Sequence, residues 1–390
     1  MSKKAPTNPS RRPEGRLEII QSKAAFEDFL DEVDQEPVLG LDTEANSMHA
    51  YREEVCLIQI SSSDRDYLLD PMAGLDLDPF LDLLEDPGIV KVFHDAEFDL
   101  FLLGRAYDLR LRGLFDTKVA ALALGRSQIG LAAVVEYYFG QQLDKSQQRS
   151  DWGRRPLAIA QLEYAWKDTH YLLPLRERLL AEIEEADPVV ALEVESECRR
   201  LERMDTHRPK NPDVWLKVKG ARRLSARGLR YFRDLYDWRE KEAERRNLPL
   251  FKVLANPVLI AMAAQAPLDD QALGRLLSRG QKDRYGKALQ RVLERSREKP
   301  ELSLPKTPSL TGAERKAAAM HKQRIDALKL WRKQWAGRRG TDPSLILNRE
   351  VLEKLAERAP QSLGELEETA LLEPWRLERY GAEILEALKG

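Results

Sequence analysis

The stretch VLGLDTEANS, residues 38–47, places two acidic side chains at the end of a short apolar run. Val38 to Leu41 predict a buried strand, and Asp42 and Glu44 follow at its end. Because alternate residues of a strand point to the same face, these two carboxylates are expected to lie side by side. Neighbouring carboxylates repel each other unless a proton or a cation lies between them. The stretch therefore predicts a strand that ends in a site for protons or cations.

Strand-like and helix-like runs alternate through the first half of the chain. The strand predictions fall on RLEII, PVLGLDTE, VCLIQISS, DYLLD and IVKVFHD, and the helix predictions on SKAAFEDFLDEV, LDPFLDLLED and a run from Glu97 to about Arg105. This order predicts an α/β domain that opens with largely antiparallel strands. After Asp116 the pattern becomes mainly helical, with one long segment from Ala158 to about Glu185.

The second half is helical and contains an internal repeat. LYDWREKEAERRNLPLFKVLANPVLIAMAAQAP and LKLWRKQWAGRRGTDPSLILNREVLEKLAERAP align without a gap at an offset of 93 residues. Self-similarity at a fixed offset predicts two copies of one small helical domain. The predicted organisation is a disordered tail over 1–15, an α/β domain over 16–205, a first repeat over 215–297, a Pro-rich linker over 298–312 and a second repeat over 313–390.

Composition narrows the class of protein. The two cysteines among 390 residues provide neither a disulfide framework nor metal-ligand spacing. Because no apolar run predicts a membrane span or a signal peptide, we expect a soluble, cytoplasmic protein that does not bind membranes. We also expect a monomer. The net charge of -2 hides an acidic half, −15 over residues 1–200, and a basic half, +13 over residues 201–390. This asymmetry favours an acidic catalytic part joined to a nucleic-acid-binding part; the alternative is two solvated surfaces that differ by chance.

Two further acids are candidates to join Asp42 and Glu44. Asp99 lies one turn into the helix that follows IVKVF, and Asp168 lies within QLEYAWKDTHYLLPL, four residues after Tyr164 and on the same helix face. Four carboxylates suit Mg²⁺ or Mn²⁺, and two such ions about 3.5–4 Å apart form a clamp for phosphodiester cleavage. A tyrosine beside them is placed to orient or deprotonate the attacking water.

Three motifs in this order resemble the DEDD exonucleases of the tyrosine subclass. They are Asp42-x-Glu44, Asp99 within HDAEFD, and Tyr164-x-x-x-Asp168. The longer stretches LDKSQQRSDWGRRPL and QLEYAWKDTHYLLPL are similar to the ribonuclease D family, and the repeats resemble its HRDC domains, which are helical nucleic-acid-binding modules. The resemblance covers residues 16–390, and its strength lies in the combination of motifs, because Asp-x-Glu alone is common in acidic proteins.

The resemblance implies an α/β exonuclease domain of the RNase H-like (DnaQ-like) fold followed by two all-α HRDC domains. It also implies 3′-to-5′ hydrolysis of RNA to nucleoside 5′-monophosphates, with tRNA precursors and other small RNAs as substrates. The metal ligands carry over onto Asp42, Glu44, Asp99 and Asp168, and the water-positioning role onto Tyr164. Two alternatives stay open: a Werner-type 3′-to-5′ DNA exonuclease, and a non-catalytic RNA-binding scaffold.

Candidate RNA contacts lie in the α/β domain and in the first repeat. They are Thr43, His94, Arg149, Trp152, Arg222, Arg223, Arg245 and Arg246. The segment SQQRSDWGRR, which also contains Arg154 and Arg155, combines basic side chains with an aromatic ring that can hold a phosphate and stack on a base. The alternatives are a surface loop with Trp152 packed beneath it and a structural role for His94. Residues 201–300 carry a surplus of 11 basic side chains and residues 301–390 only 2. We therefore expect the first repeat to bind RNA and the second to be a positioning or protein-contact module.

Overall fold

The computed structural model describes residues 17–207, 211–304 and 311–389. The predicted tail over 1–15 lies outside the described residues. Residues 208–210, between the predicted α/β domain and the first repeat, and residues 305–310 of the predicted Pro-rich linker lie outside them as well. Among the described helices, none combines the length and the apolar character needed to cross a lipid bilayer.

The first domain is built on one mixed sheet of six strands. In sheet order β1-β4-β3-β2-β5-β6, its strands are β1 (Leu17–Ile20), β2 (Val38–Ala45), β3 (Val55–Ser61), β4 (Asp66–Leu69), β5 (Val90–Phe93) and β6 (Leu114–Asp116). The central β2 pairs antiparallel with β3 and parallel with β5. All seven residues of β3 are buried, as expected for a strand covered on both faces.

Eight helices accompany this sheet. They are α1 (Lys23–Val33), α2 (Asp78–Glu85), α3 (Glu97–Tyr107), α4 (Thr117–Ala123), α5 (Leu131–Phe139), α6 (Ile159–His170), α7 (Leu172–Glu185) and α8 (Val189–Glu202). Two details differ from the sequence predictions. The long segment from Ala158 to Glu185 divides at Tyr171 into α6 and α7, and the three-residue β6 has no predicted counterpart because it is too short to show a period. The α/β prediction for this half is confirmed.

The two repeats have the same succession of helices. The first contains α9 (Ala226–Arg246), α10 (Leu250–Val253), α11 (Asn256–Gln265), α12 (Asp270–Leu276) and α13 (Arg279–Glu298); the second contains α14 (Gly312–Arg339), α15 (Pro343–Ile346), α16 (Arg349–Arg358), α17 (Leu363–Glu368) and α18 (Pro374–Lys389). At the offset of 93 residues, α10 coincides with α15 and α11 with α16, residue for residue. Each repeat has its own apolar core. Arg239 donates to the carbonyl of Leu254 (2.9 Å), and Arg332 donates to that of Leu347 (2.7 Å).

The second repeat docks on α8 of the first domain. Arg339, at the end of α14, forms an ion pair of 2.5 Å with Glu193, whose side chain is fully buried. Beside it, the Trp375 indole donates to the Ser196 hydroxyl (3.2 Å). Leu345 belongs to the apolar core of the first domain. These contacts hold the second repeat against the first domain.

Arg339→Ala is expected to loosen the second repeat from α8. Removing one partner of a buried ion pair leaves an uncompensated charge and costs about 3–5 kcal/mol. Urea unfolding should show this loss, and limited proteolysis should release residues 311–390 faster than in the unsubstituted protein. Lys333→Ala is the matched control, since this exposed side chain on the same helix makes no ion pair among the described residues. Equal stability of the two variants would contradict the prediction.

Candidate active site

A close contact between β2 and the α6–α7 junction brings the first acids to the site. A Cβ atom on Gly40 would lie 2.9 Å from the Leu173 side chain and 3.2 Å from the carbonyl of Thr169. Only glycine permits this approach without a shift. Gly40 is two residues before Asp42, and Thr169 is next to Asp168, so the contact places β2 and α6 side by side at the acidic residues. Asp42 and Glu44 are both half-buried at the end of β2.

Asp99 is held against β2 by Thr43. The Thr43 backbone N–H and hydroxyl both donate to Asp99 Oδ1, at 3.1 and 2.5 Å. The start of α3 is fixed in turn by Asp116, whose carboxylate accepts from the backbone N–H groups of Asp95 (3.1 Å) and Ala96 (2.8 Å). The hydroxyl of Thr43, a predicted RNA contact, is therefore used to orient a carboxyl group of the site.

Helix α6 contributes Tyr164 and Asp168 on one face. The Tyr164 hydroxyl is close enough to Asp168 for each group to shift the pKa of the other. Asp168 Oδ2 is buried and has no hydrogen-bond partner among the described residues. A buried carboxylate oxygen without a donor is costly unless a cation or a proton reaches it. This oxygen therefore indicates a position for a ligand.

Burial and mutual repulsion raise the pKa of all four carboxyl groups. Burial raises the pKa of Glu44 to about 9, and the charges of Asp168 and Asp99 add to the effect. The pKa of Asp42 lies well above its usual value because the group is buried and because Asp99, Asp168 and Glu44 repel its charge. Burial also raises the pKa values of Asp99 and Asp168. Burial and like charge therefore favour a proton or a cation among the four carboxyl groups.

The donor set fits divalent cations. Four carboxyl groups from β2, α3 and α6 provide the oxygen ligands that Mg²⁺ and Mn²⁺ prefer. Among the described residues, no three Asp, Glu, His or Cys side chains converge closely enough to enclose an ion as they stand. Like charges favour separated side chains, which accounts for that spacing, and the free Asp168 Oδ2 and the raised pKa values favour a cation between them.

A cavity of about 420 Å³ opens beside the carboxylates. Its volume lies within the range of about 300–1,000 Å³ usual for ligand pockets. The wall includes Asp42, Tyr164 and Asp168 from the cluster, together with apolar side chains and the polar groups of His94, Lys118, Lys145 and Gln148. The cavity is therefore large enough for a small ligand that reaches the carboxylates directly.

Trp152 is a core residue, which corrects its assignment as an RNA contact. Only 1% of its side chain is exposed, and it packs with Cys56, Leu57 and Ala165. A ring that is covered on both faces cannot stack on a base. Arg155 is not available to bind a phosphate, because its guanidinium binds both carboxylate oxygens of Asp70 (2.7 and 2.6 Å). Arg149 is exposed, so its prediction stands.

His94 lies at the wall of the cavity as a neutral imidazole. Burial lowers its pKa to about 4. The Thr117 hydroxyl donates to the carbonyl of Phe93 (2.9 Å), so it accepts from His94 Nδ1 (2.9 Å). His94 Nε2 is buried without a partner among the described residues. Nε2 is therefore an unprotonated acceptor, which can meet a donor group of a ligand but cannot neutralise a phosphate.

Some candidate RNA contacts of the first repeat are exposed, and others are held in ion pairs. Arg222 and Arg223 are exposed. Arg245 and Arg246 both form ion pairs with Glu242, at 2.7 and 2.5 Å. A phosphate would therefore compete with Glu242 for the second pair. Phe98, next to Asp99 on α3, is 48% exposed and is therefore not a core residue.

Comparisons with known proteins match both parts of the chain. Residues 17–184 match the family model described as 3'-5' exonuclease, and residues 228–293 and 321–388 match that of the HRDC domain. The chain is 32% identical over 360 residues to ribonuclease D of Gluconacetobacter diazotrophicus, covering 91% of this chain and 88% of the relative. The chain belongs to the ribonuclease D family.

A further ribonuclease D, from Escherichia coli, is 32% identical over 290 residues, which are 74% of this chain and 77% of the relative. The crystal structure of Escherichia coli RNase D, described as an exoribonuclease involved in structured RNA processing, superposes with a TM-score of 0.67 at 28% identity, covering 95% of this chain and 98% of that one. As a member of this family, the chain is a hydrolytic 3′-to-5′ exoribonuclease. The predicted exonuclease fold followed by two HRDC domains is confirmed.

Proposed function

We propose that this exoribonuclease works through two divalent ions held by Asp42, Glu44, Asp99 and Asp168. The observation that carries the proposal is the cluster of these four buried or half-buried carboxyl groups, in which the buried Asp168 Oδ2 has no partner among the described residues. When bound, two Mg²⁺ or Mn²⁺ ions lower the pKa of an attacking water and neutralise the leaving oxygen.

The side chains of the chain itself position the reactants. Thr43 orients Asp99 by two hydrogen bonds to Oδ1, which leaves Oδ2 for an ion. Burial and the nearby carboxylates raise the pKa of Tyr164, so its phenol keeps its proton at neutral pH. Tyr164 is therefore suited to orient the attacking water by hydrogen bonding rather than to deprotonate it. The cavity beside Asp42 and Asp168 receives the terminal nucleotide.

The proposed substrates are single-stranded 3′ ends of tRNA precursors and other small structured RNAs, which the enzyme shortens to nucleoside 5′-monophosphates. We place the enzyme in the cytoplasm as a monomer. The Escherichia coli relative is described as acting in structured RNA processing, which supports this substrate class. Arg149, Arg222, Arg223, Arg245 and Arg246 remain the proposed contacts to phosphates.

A basic cavity supports RNA binding by the first repeat. It measures about 560 Å³, and the exposed Lys217 and Lys219 belong to its wall, in which the described residues include no acidic side chain. The exposed ring of Phe251 forms part of the same wall. Cationic side chains beside an exposed aromatic ring are the usual means of holding a single strand without sequence preference. At the offset of 93 residues, the second repeat has Ser344 at the position equivalent to Phe251.

A digestion time course tests the proposal. The enzyme is incubated with a 3′-extended tRNA or with a single-stranded DNA of the same extension, with Mg²⁺, with Mn²⁺ or with EDTA. We expect RNA to shorten from its 3′ end only when a metal is present, with nucleoside 5′-monophosphates as the chromatographed products. If only the DNA is digested, the proposal that RNA is the substrate is wrong. If RNA is digested equally well in EDTA, the proposal that hydrolysis needs a divalent ion is wrong.

A further inference from the structure

The segment that joins β2 to β3, residues 46–54, forms a closed loop next to the carboxylates. Its neck is tied by two hydrogen bonds, from Glu54 N–H to Asn46 Oδ1 (2.9 Å) and from Asn46 Nδ2 to Glu54 Oε2 (3.2 Å). The loop starts two residues after Glu44. Because it continues the catalytic strand, any contact that fixes this β2–β3 loop also restrains the end of β2.

The first repeat contacts the β2–β3 loop through hydrogen bonds and an ion pair. Asn247 Oδ1 accepts hydrogen bonds from two successive backbone N–H groups, those of Tyr51 and Arg52, both at 3.1 Å. The Tyr51 hydroxyl donates to Glu240 (2.8 Å), and the Tyr51 side chain packs against the apolar core of the first repeat. Arg52 forms an ion pair of 3.2 Å with Glu244.

The side chain of Asn247 is not needed for the helix end on which it lies. Asn247 ends α9 in the left-handed region, with φ of 47°. The equivalent residue of the second repeat, 93 positions later, is Gly340, which ends α14 with φ of 69°. Glycine is the usual residue for such a helix end. The repeat therefore folds without a carboxamide here, and in the first repeat that group is used for the contact with the β2–β3 loop.

The same loop reaches the segment that leads into α6. His49 Nε2 lies 3.1 Å from the carbonyl of Arg149, and Lys252 of the first repeat lies 3.4 Å from His49 Nδ1. One neutral tautomer satisfies both contacts, with Nε2–H donating to the carbonyl and Nδ1 accepting from the ammonium. His49 therefore connects the first repeat to residue 149.

Further contacts connect residues 150–152 to helix α6 and to Tyr164. Gln161 Nε2 donates to the Ser150 hydroxyl (2.9 Å), and Gln161 Oε1 accepts from Ala158 N–H (2.9 Å) at the start of α6. The ring of Trp152 lies 5.9 Å from that of Tyr164, centroid to centroid. The β2–β3 loop therefore connects the end of β2 to the segment that precedes α6.

We propose that the first repeat positions the active site as well as binding RNA. By holding the β2–β3 loop through Asn247 and Tyr51, it fixes Asp42 and Glu44 on β2 relative to Tyr164 and Asp168 on α6. Asn247 is then a positioning residue for hydrolysis. The inference rests on the proposed carboxylate site, because it supposes that these four groups must keep their relative positions.

Asn247→Gly in the full-length protein tests the proposal. The substrate is a two-nucleotide RNA, which is too short to extend from the carboxylates over the first repeat. We expect kcat to fall about tenfold, since small displacements of reacting groups reduce rates strongly, while KM stays within about twofold. Asn247→Asp should keep the rate, because a carboxylate oxygen accepts the same two hydrogen bonds. Lys241→Gln, which changes an exposed side chain on the same helix, is the control.

Hydrogen exchange gives a second measurement that does not depend on activity. In Asn247→Gly, amides of residues 149–165 should exchange faster than in the unsubstituted protein, and in Asn247→Asp they should not. Unchanged kcat on the two-nucleotide RNA, or unchanged exchange of this segment, would overturn the proposal. A failure of the carboxylate site is distinguishable, because then the unsubstituted protein would not hydrolyse RNA in a metal-dependent way although exchange still responds to Asn247→Gly.

Discussion

Asp42→Asn is expected to reduce RNA hydrolysis by a factor on the order of 10³ or more, because it removes a ligand on which transition-state charge stabilisation depends. RNA affinity should change little, since the proposed phosphate contacts lie on other residues. The measurement is single-turnover hydrolysis with saturating Mg²⁺ or Mn²⁺. Asp78→Asn removes the same charge from an exposed position on α2 and should leave the rate unchanged.

The same variant should be more stable than the unsubstituted protein when EDTA is present. The buried Asp42 carboxyl is repelled by Asp99, Asp168 and Glu44, and an amide removes that repulsion. Loss of activity with a raised thermal midpoint separates a functional carboxylate from a structural one. If Asp42→Asn loses activity only because it unfolds, its midpoint in EDTA will fall instead, and the assignment of Asp42 as a metal ligand will be wrong.

The sequence predicts the catalytic half of the molecule well because its signals are local. Asp42 and Glu44 follow an apolar run, and Tyr164 and Asp168 are separated by one helical turn, so short-range geometry already places each pair. The repeats are predicted for a similar reason, since their helices recur at a fixed offset. The α/β class and the two helical repeats follow from such local patterns. The resemblance to known motifs implies the exonuclease fold and the two HRDC domains, and the structural and family comparisons confirm them.

The sequence does not predict contacts between residues that are far apart along the chain. Trp152 lies in a polar segment that suggests a surface, yet it is covered by β3 and α6, because a local pattern does not show which elements pack over a loop. Asn247 contacts Tyr51 across 196 positions, and no spacing rule connects residues that far apart. The one available signal is the comparison of the repeats, in which asparagine stands where the second copy has Gly340.

The stability of the metal-free protein is expected to fall as pH rises between about 5 and 9. Glu44 has a pKa of about 9 in the folded protein, against a usual value of 4.5. Over this range the folded state therefore holds a proton that the unfolded state has released, and stability declines wherever the folded state binds more protons. Asp42, Asp99 and Asp168 act in the same direction. A pKa difference of one corresponds to about 1.4 kcal/mol, so the decline should reach several kcal/mol.

Divalent ions should reverse this trend, because a metal binds the deprotonated carboxylates and its affinity rises as their protons are lost. The measurement is the urea midpoint of the first domain at pH 5, 7 and 9, in EDTA and in saturating Mg²⁺ or Mn²⁺. Glu44→Gln isolates the contribution of this cluster from that of other titrating groups, and it should flatten the profile in EDTA. Parallel profiles for Glu44→Gln and the unsubstituted protein would show that Glu44 titrates alike in both states, and the cluster would then lack the repulsion that makes it a site for cations.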